Sequence, residues 1–375
     1  MPELTLDTLR TLVSFDTRNP PRSIAGGDGL VSEVARMLRA TGFDVRTRDL
    51  GDGCHNILAV RGRPSILFNV HLDTVPPAEG WTGDPFDLRI DDGRIIGLGA
   101  CDVKGAAACL LSAAMTTDGP AALLLTTDEE AGDSRCVRTF LDDVPGWIRG
   151  VVVAEPTGCR AVTAHRGVRT CEGVFTGVGG HSSSPDGATS AVHDAVRWAA
   201  MALDYAAQAE SMTCEQLRGI RFNLGVIEGG IKPNMIAAKA RVVFGIRPLP
   251  GHDGRRIADD LCKCAPDASR VAWRTRFAGP ALLPTDASRA LAGDLDFDAG
   301  PAVDFWTEAA LFAAAGLPSI VFGPGDIRQA HAADEWIAAD QLSRATATYQ
   351  RLFSLPAHPL TKVHHRDTED TEREG

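Results

Sequence analysis

Four short apolar runs in this chain each lead directly to residues with metal-binding side chains. Ile66-Leu67-Phe68-Asn69-Val70 runs into His71, with Asp73 two positions on; Ala121-Ala122-Leu123-Leu124-Leu125 passes two threonines to reach Asp128-Glu129-Glu130. Val151-Val152-Val153-Ala154 stops at Glu155, and Ile320-Val321-Phe322 leads through Gly323-Pro324-Gly325 towards His331. Runs of this length that do not alternate with polar residues suit strands buried on both faces, as in a parallel sheet covered by helices. Such sheets place ligand sites at the carboxyl ends of their strands. If the four runs share one sheet, their terminal residues converge on one edge and form a hydrolytic metal centre.

At 375 residues the chain exceeds one ordinary core, so two domains are expected. Its apolar stretches fall short of the roughly 20 residues that span a bilayer. The start, Met1-Pro2-Glu3-Leu4-Thr5-Leu6-Asp7, has neither the basic segment nor the apolar segment of a signal peptide. Nine cysteines, an odd number without framework spacing, fit free thiols in a reducing compartment, so a cytoplasmic protein is expected. A formal net charge of −11 disfavours nucleic acid and anionic membrane as partners.

The α/β alternation runs to Glu155 and resumes near Leu317, which predicts one α/β domain split by an insert. Residues 1–167 and 278–356 are expected to form a mixed, mainly parallel-stranded catalytic domain. Residues 168–277 read as a smaller α+β lid or dimerisation domain with a strand-helix-strand-strand-helix pattern. Its expected strands cover 169–178, 221–227 and 235–246, and its helices 188–209 and 254–264. The charged segment 357–375, with its adjacent His364 and His365, reads as a disordered, solvated tail.

His71-Leu72-Asp73-Thr74-Val75-Pro76, the Gly97–Gly105 segment containing Asp102, Thr127-Asp128-Glu129-Glu130 and Ala154-Glu155-Pro156-Thr157 follow one another in an order that resembles the metal-dependent aminoacylase and carboxypeptidase family. Gly180-His181-Ser182-Ser183, Ile246-Arg247-Pro248-Leu249-Pro250-Gly251, Thr307-Glu308-Ala309 and Gln329-Ala330-His331 are similar to its acetylornithine deacetylase group. The resemblance covers nearly the whole chain except the tail. It implies hydrolysis of the amide bond of a small N-acylated amino acid. Within the group it points to the members that act on N-acetylcitrulline in arginine biosynthesis. N-acetylornithine deacetylases, dipeptidases and succinyl-diaminopimelate desuccinylases on the same fold are the alternatives.

The resemblance also assigns roles. His71, Asp102, Glu130, Glu155 and His331 are the metal ligands, with Asp102 bridging one or two divalent ions, Zn²⁺ or Co²⁺. The residue types agree, because imidazole and carboxylate suit such ions without thiolate. Two-metal hydrolases hold their ions about 3.5–4 Å apart, and a water there is acidified towards a pKa of about 7. Glu129 is the expected general base, separable from Glu130 because neighbours on extended backbone point in different directions. Asp73 is expected to orient the His71 imidazole. His181 is the expected oxyanion donor, reaching into the neighbouring subunit of a homodimer with shared active sites. Asn234 and Arg247 are expected to hold the substrate α-carboxylate, and Glu308 is expected to contact the substrate or support the site.

Taken alone, Asp73 reads as a turn residue, Glu129-Glu130 as a solvated loop, His181 as a surface histidine and Arg247 as a strand-edge charge. The chain departs from the acetylornithine deacetylase wording at 228–234 and at Val303-Asp304-Phe305-Trp306, where side-chain specificity is set. Cys101, beside Asp102, stands where small or hydroxyl residues are more familiar, and reads either as a buried small residue or as a thiol that makes the protein sensitive to oxidation or mercury. A phosphate loop at Gly97-Leu98-Gly99 fails because it lacks a third glycine and an aspartate follows. A non-catalytic binding protein on this fold is disfavoured by the complete ligand set and base.

Overall fold

In the computed structural model, which describes residues 2–21, 24–26 and 29–355, the split arrangement is visible in the order of elements. Helices α1 (Glu3–Val13) and α2 (Leu30–Arg39) precede strands β1 (Asp44–Asp49), β2 (His55–Arg61) and β3 (Ile66–His71). Helix α3 (Lys104–Thr116) leads to β4 (Ala121–Thr126) and β5 (Gly150–Val153). The chain then builds β6 (Val168–Thr176), α4 (Ala191–Gln208), β7 (Arg221–Gly229), β8 (Lys239–Arg247), α5 (Gly254–Lys263) and β9 (Val271–Gly279). It returns through α6 (Ala309–Ala314), β10 (Ser319–Val321) and α7 (Ala339–Ser354).

The first sheet has the order β1-β2-β4-β3-β5-β10. The four ligand-bearing runs are its last four strands, and all three pairings among them are parallel. Only β2 runs against the others, antiparallel to both of its neighbours, β1 and β4. Every residue of β3, β4 and β5 is buried, because helices cover both faces. Phe68, Val70, Leu123 and Val152 face one core, shared with α1, α3 and α7. Leu67, Leu124, Val151 and Val153 face the other, shared with α6. This two-sided burial is why the strands carry no polar alternation. Phe68 meets Tyr349 and Phe353 edge-on, at centroid distances of 5.8 and 5.0 Å, which fastens α7 to the middle of the sheet. Truncating such a side chain to alanine costs about 3–5 kcal/mol.

The inserted unit is a four-stranded antiparallel sheet, β7-β8-β6-β9, with α4 and α5 on one face. Strand β9 is an element the sequence pattern did not disclose. It adds a last strand to the expected series and ends at Gly279, past the expected boundary at 277. Its Arg274 and Arg276 point to Glu172 on the open face, at 2.9 and 3.6 Å. On the covered face, Trp273 packs over Gly173, where an added Cβ would meet the ring at 2.2 Å. The expected strand at 235–246 is broken into a short piece, Met235–Ile236, and β8. The expected tail and its two histidines lie outside the described residues. Among the described residues no helix is long and apolar enough to cross a membrane.

Candidate metal centre and active site

His71 closes β3, and register places it beside Thr126 at the end of β4. Its Nδ1 lies 3.0 Å from the Asp73 carbonyl, so Nδ1–H donates there and the Nε2 lone pair faces the site. Nε2 is 3.1 Å from Asp102 Oδ1 and 3.7 Å from Glu155 Oε1. Glu155 follows the end of β5, where the Ala154 N–H donates to the Asn69 carbonyl at 2.8 Å. Asp102 sits at the tight turn that opens α3, and its peptide bond to Val103 is cis. His331 Nε2 is 2.9 Å from Glu130 Oε1 and 3.3 Å from Asp102 Oδ2. His331 has φ +56°, an uncommon backbone state for a non-glycine residue and one that recurs at functional sites.

These distances divide the donors into two triads, His71–Asp102–Glu155 and Asp102–Glu130–His331. Asp102 turns one oxygen to each, which is the geometry of a bridging carboxylate. Within each triad the ligand atoms lie within 4.8 Å of one another.

The electrostatics suit a divalent cation. Burial pushes the Glu129 carboxyl well above its usual range, opposed by His71 and reinforced by Glu130, Glu155 and Glu308. Glu155 is raised in the same way, first by burial, and Glu130 is raised by burial against its bond to His331. Burial works against the charge on Asp102 too, but its contacts with His331 and His71 dominate and hold its pKa well below normal. For His71 burial disfavours the charge and its carboxylate neighbours outweigh it, lifting the pKa well above normal. His331 is pushed up to about 11, chiefly by Asp102 and Glu130. Crowded carboxylates of this kind are stabilised by a cation, and an imidazole–carboxylate donor set suits Zn²⁺ or a similar ion.

Asp73 is fully buried and does more than face His71. Its Oδ1 lies 3.5 Å from His71 Nδ1, while its two oxygens accept the backbone N–H groups of Glu129 and Glu130 at 3.3 and 2.9 Å. One carboxylate therefore fixes a candidate ligand from β3 and the segment bearing Glu129.

Glu308, expected as a substrate contact or a support, is only 1% exposed. It lies beneath the site with Oε2 facing the Thr126 hydroxyl at 3.5 Å, and burial and the Asp128 charge push it up to about 8. Burial and the contact with Thr126 suit the supporting role, one of the two expected for it.

Arg247, at the end of β8, is exposed. Partial desolvation lowers the pKa of its guanidinium, with the Glu129 carboxylate acting in the opposite sense. His181 and Asn234 are both exposed and belong to the inserted unit. His181 pairs with Met235, its Nδ1 lies 2.7 Å from the Ser183 hydroxyl, and the Asn234 carbonyl accepts the Ser182 N–H at 3.1 Å. Both line a cavity of about 780 Å³ with Ile231, Met235 and Arg241, and that lining includes none of the two triads.

Glu335, which sequence reasoning missed, is 2% exposed. Its Oε1 accepts the N–H groups of Cys101 and Asp102, each at 2.9 Å, and Oε2 accepts that of Gly99 at 3.1 Å. It therefore moors the turn bearing Asp102 to the segment that follows His331. Its one sequence signal was an acidic residue four positions after a candidate ligand. Cys101 is buried, its thiol facing the Asp326 carbonyl at 3.3 Å. Burial and then the charges of Glu335 and Asp102 push that thiol far up, so it is a poor nucleophile.

Residues 67–354 match the peptidase family M20/M25/M40. The chain is 46% identical over 365 residues to the N-acetyl-L-citrulline deacetylase of Xanthomonas campestris pv. campestris, covering 93% of this chain and 97% of that one. It is 31% identical over 375 residues to the acetylornithine deacetylase of Myxococcus xanthus, covering 92% and 95%. Among solved structures, the M20 family metallo-carboxypeptidase Sso-CP2 from Sulfolobus solfataricus superposes with a TM-score of 0.74 at 15% identity, covering 95% of this chain and 99% of that one.

Proposed function

This chain belongs to peptidase family M20/M25/M40, as a metal-dependent amidohydrolase, and from that membership we propose that it cleaves N-acetyl-L-citrulline to acetate and citrulline, a step of arginine biosynthesis. The observation that carries the chemistry is the pair of triads joined through the two oxygens of Asp102, with Glu129 anchored beside them. The choice of substrate is supported by the 46% identity to the citrulline enzyme. It is also supported by two acidic side chains in the segments that depart from acetylornithine deacetylases. Asp304 is held by Arg166 at 2.5 Å and Glu228 by Arg241 at 2.9 Å. Each already has an arginine partner, whereas a δ-ammonium group wants a carboxylate of its own; a ureido group does not.

His71, Glu155 and Asp102 would hold one ion and Asp102, Glu130 and His331 the other, Zn²⁺ or Co²⁺ in each case. When bound, such ions polarise the amide carbonyl and acidify the attacking water. A Glu129 oxygen takes the proton of that water and delivers it to the departing nitrogen as the C–N bond breaks, so that acetate and a free amine leave. Arg247 binds the α-carboxylate by a two-pronged contact, with Asn234 assisting. His181 donates to the developing oxyanion of a neighbouring subunit.

The homodimer reading is supported by α4, where Val196 and Leu203, two turns apart, are 53% and 56% exposed, and by the unpaired edge of β7. Residues 168–279 then act as lid and dimerisation unit, and 2–167 with 280–355 as the catalytic unit, in the cytoplasm.

The test is direct. Metal-loaded protein is offered N-acetylcitrulline, N-acetylornithine, N-succinyl-diaminopimelate and simple dipeptides, and free amine is measured. N-acetylcitrulline should be turned over with the highest kcat/KM. Preference for N-acetylornithine would transfer the assignment to that substrate, and no activity on any acylated amino acid would remove it.

A further inference from the structure

Arg166 is among the largest fully buried side chains in the protein, and it sits where the chain passes from the first sheet into the insert. Its guanidinium holds both parts at once. Nε donates to Asp304 Oδ1 at 2.5 Å, in the segment before α6. Nη1 and Nη2 donate to the carbonyls of Gly219 and Arg218 at 2.5 and 2.8 Å, just ahead of β7. Nη1 also reaches the carbonyl of Arg247 at 3.4 Å, at the end of β8. The backbone continues the grip, because the Gly167 N–H donates to the Pro248 carbonyl at 3.0 Å.

A buried charge that spends its donors on three carbonyls and one carboxylate is costly to retain merely as a spacer. Three of its contacts are with backbone carbonyls of the insert, and one of those three belongs to Arg247. We infer that Arg166 is a positioning residue for substrate binding: it ties the backbone of Arg247 to the catalytic domain and so sets where the Arg247 guanidinium meets the substrate carboxylate. This rests on the reading of Arg247 as the α-carboxylate partner. Only an arginine fork can satisfy these acceptors together. A lysine keeps the charge beside Asp304 but cannot span the carbonyls.

The experiment is steady-state kinetics of the metal-loaded enzyme on N-acetylcitrulline and on its α-carboxamide, for Arg166→Lys, Arg247→Met and the double variant. Metal content and thermal midpoint are recorded for each. Arg166→Lys should raise KM for the carboxylate substrate about tenfold and change kcat by no more than about twofold. For the carboxamide it should change kcat/KM little. In the Arg247→Met background its effect should vanish, because two residues acting through one contact do not add. Asp304→Asn, which leaves the buried arginine in place, should raise KM about threefold and serves if Arg166→Lys does not fold.

Equal effects of Arg166→Lys with and without Arg247, or on both substrates, would reduce Arg166 to a structural clamp and overturn the inference. If instead Arg247→Met leaves KM for N-acetylcitrulline unchanged, the carboxylate reading of Arg247 falls and the role of Arg166 falls with it. A raised KM in Arg247→Met with no coupling removes the role of Arg166 alone.

Discussion

Asp73 and Glu130 are joined by a 2.9 Å hydrogen bond in which Asp73 Oδ2 accepts the Glu130 backbone N–H. Because the same carboxylate lies 3.5 Å from His71 Nδ1, it brings one residue of each triad, the His71 ring and the Glu130 backbone, to a common anchor. Replacing Asp73 with asparagine puts an amide N–H₂ where one acceptor oxygen now stands, so one of these partners loses its bond. Outer partners of metal ligands are commonly worth 10–100-fold in affinity or activity. Asp73→Asn should lower kcat/KM by about that factor and weaken metal binding in calorimetric titration. A variant with unchanged metal affinity and rate would mean that Asp73 is only a turn residue.

Glu129 differs from Glu130 in its contacts. Glu130 meets His331 at 2.9 Å, while Glu129 is anchored through its backbone, its N–H donating to Asp73 and its carbonyl accepting from the Gly132 N–H. Glu129→Gln removes the proton acceptor and preserves shape. Metal content should stay at the wild-type level while kcat falls by roughly 10²–10⁴-fold. Loss of metal in step with loss of rate would instead make Glu129 a ligand.

The sharing of sites between subunits has its own consequence. His181 is exposed, and its hydrogen-bonding partners lie within the insert. His181→Ala and Glu129→Gln chains should each be nearly inactive alone. Unfolded together and reassembled in equal amounts, they should form mixed dimers that carry one intact site. If chains combine at random, activity returns to about a quarter of the wild-type level. If mixing restores none, the site is contained within one chain.

Glu335 offers a test remote from the reacting atoms. Its two oxygens accept three N–H groups of the turn that carries Asp102. Glu335→Gln places a donor against at least one of them, which typically costs about 1–3 kcal/mol for a buried group left unsatisfied. Thermal stability should fall, and metal affinity should fall about tenfold as Asp102 loses its fixed orientation. Normal affinity in a destabilised variant would confine Glu335 to a folding role.

The parts of this site that were legible in the sequence were those tied to two-sided burial. The runs before His71, Glu130, Glu155 and His331 lack alternation because both faces of the sheet are covered. Asp102 came from its glycine-rich surroundings and from family resemblance, since it ends no strand. Glu335 was illegible because Asp334-Glu335 reads as a solvated pair, and only the fold brings it to the N–H groups of 99–102. Strand β9 was missed because its arginines suggest a loop, whereas they pair with Glu172 on the open face. Arg166 gave no signal of its own, as its partners lie about 50 to 140 residues away.

His165 supplies a pH-dependent test of the packing beside Arg166. It is fully buried beside Arg166, with Nδ1 2.8 Å from the Arg166 carbonyl and Nε2 3.0 Å from the Thr307 hydroxyl. The carbonyl requires Nδ1–H as donor, so Nε2 accepts from the threonine and the ring is neutral. Burial pushes its pKa from 6.5 down to about 4, the nearby Arg247 charge adding to this against the bond to the Arg166 carbonyl. Between those values the unfolded chain binds more protons at this position than the folded one, so stability rises with pH. The contribution is fully present above about pH 6.5 and is lost as pH falls towards about 4, a difference of about 3 kcal/mol. His165→Gln keeps a donor and an acceptor but does not titrate. With metal removed by chelator from both proteins, urea unfolding at pH 7 and at pH 4.5 should show a larger loss of stability in the wild type than in the variant. Equal losses would mean that His165 titrates alike in the folded and unfolded chains, and a smaller loss in the wild type that it is protonated when folded; either would remove the neutral contact with Thr307.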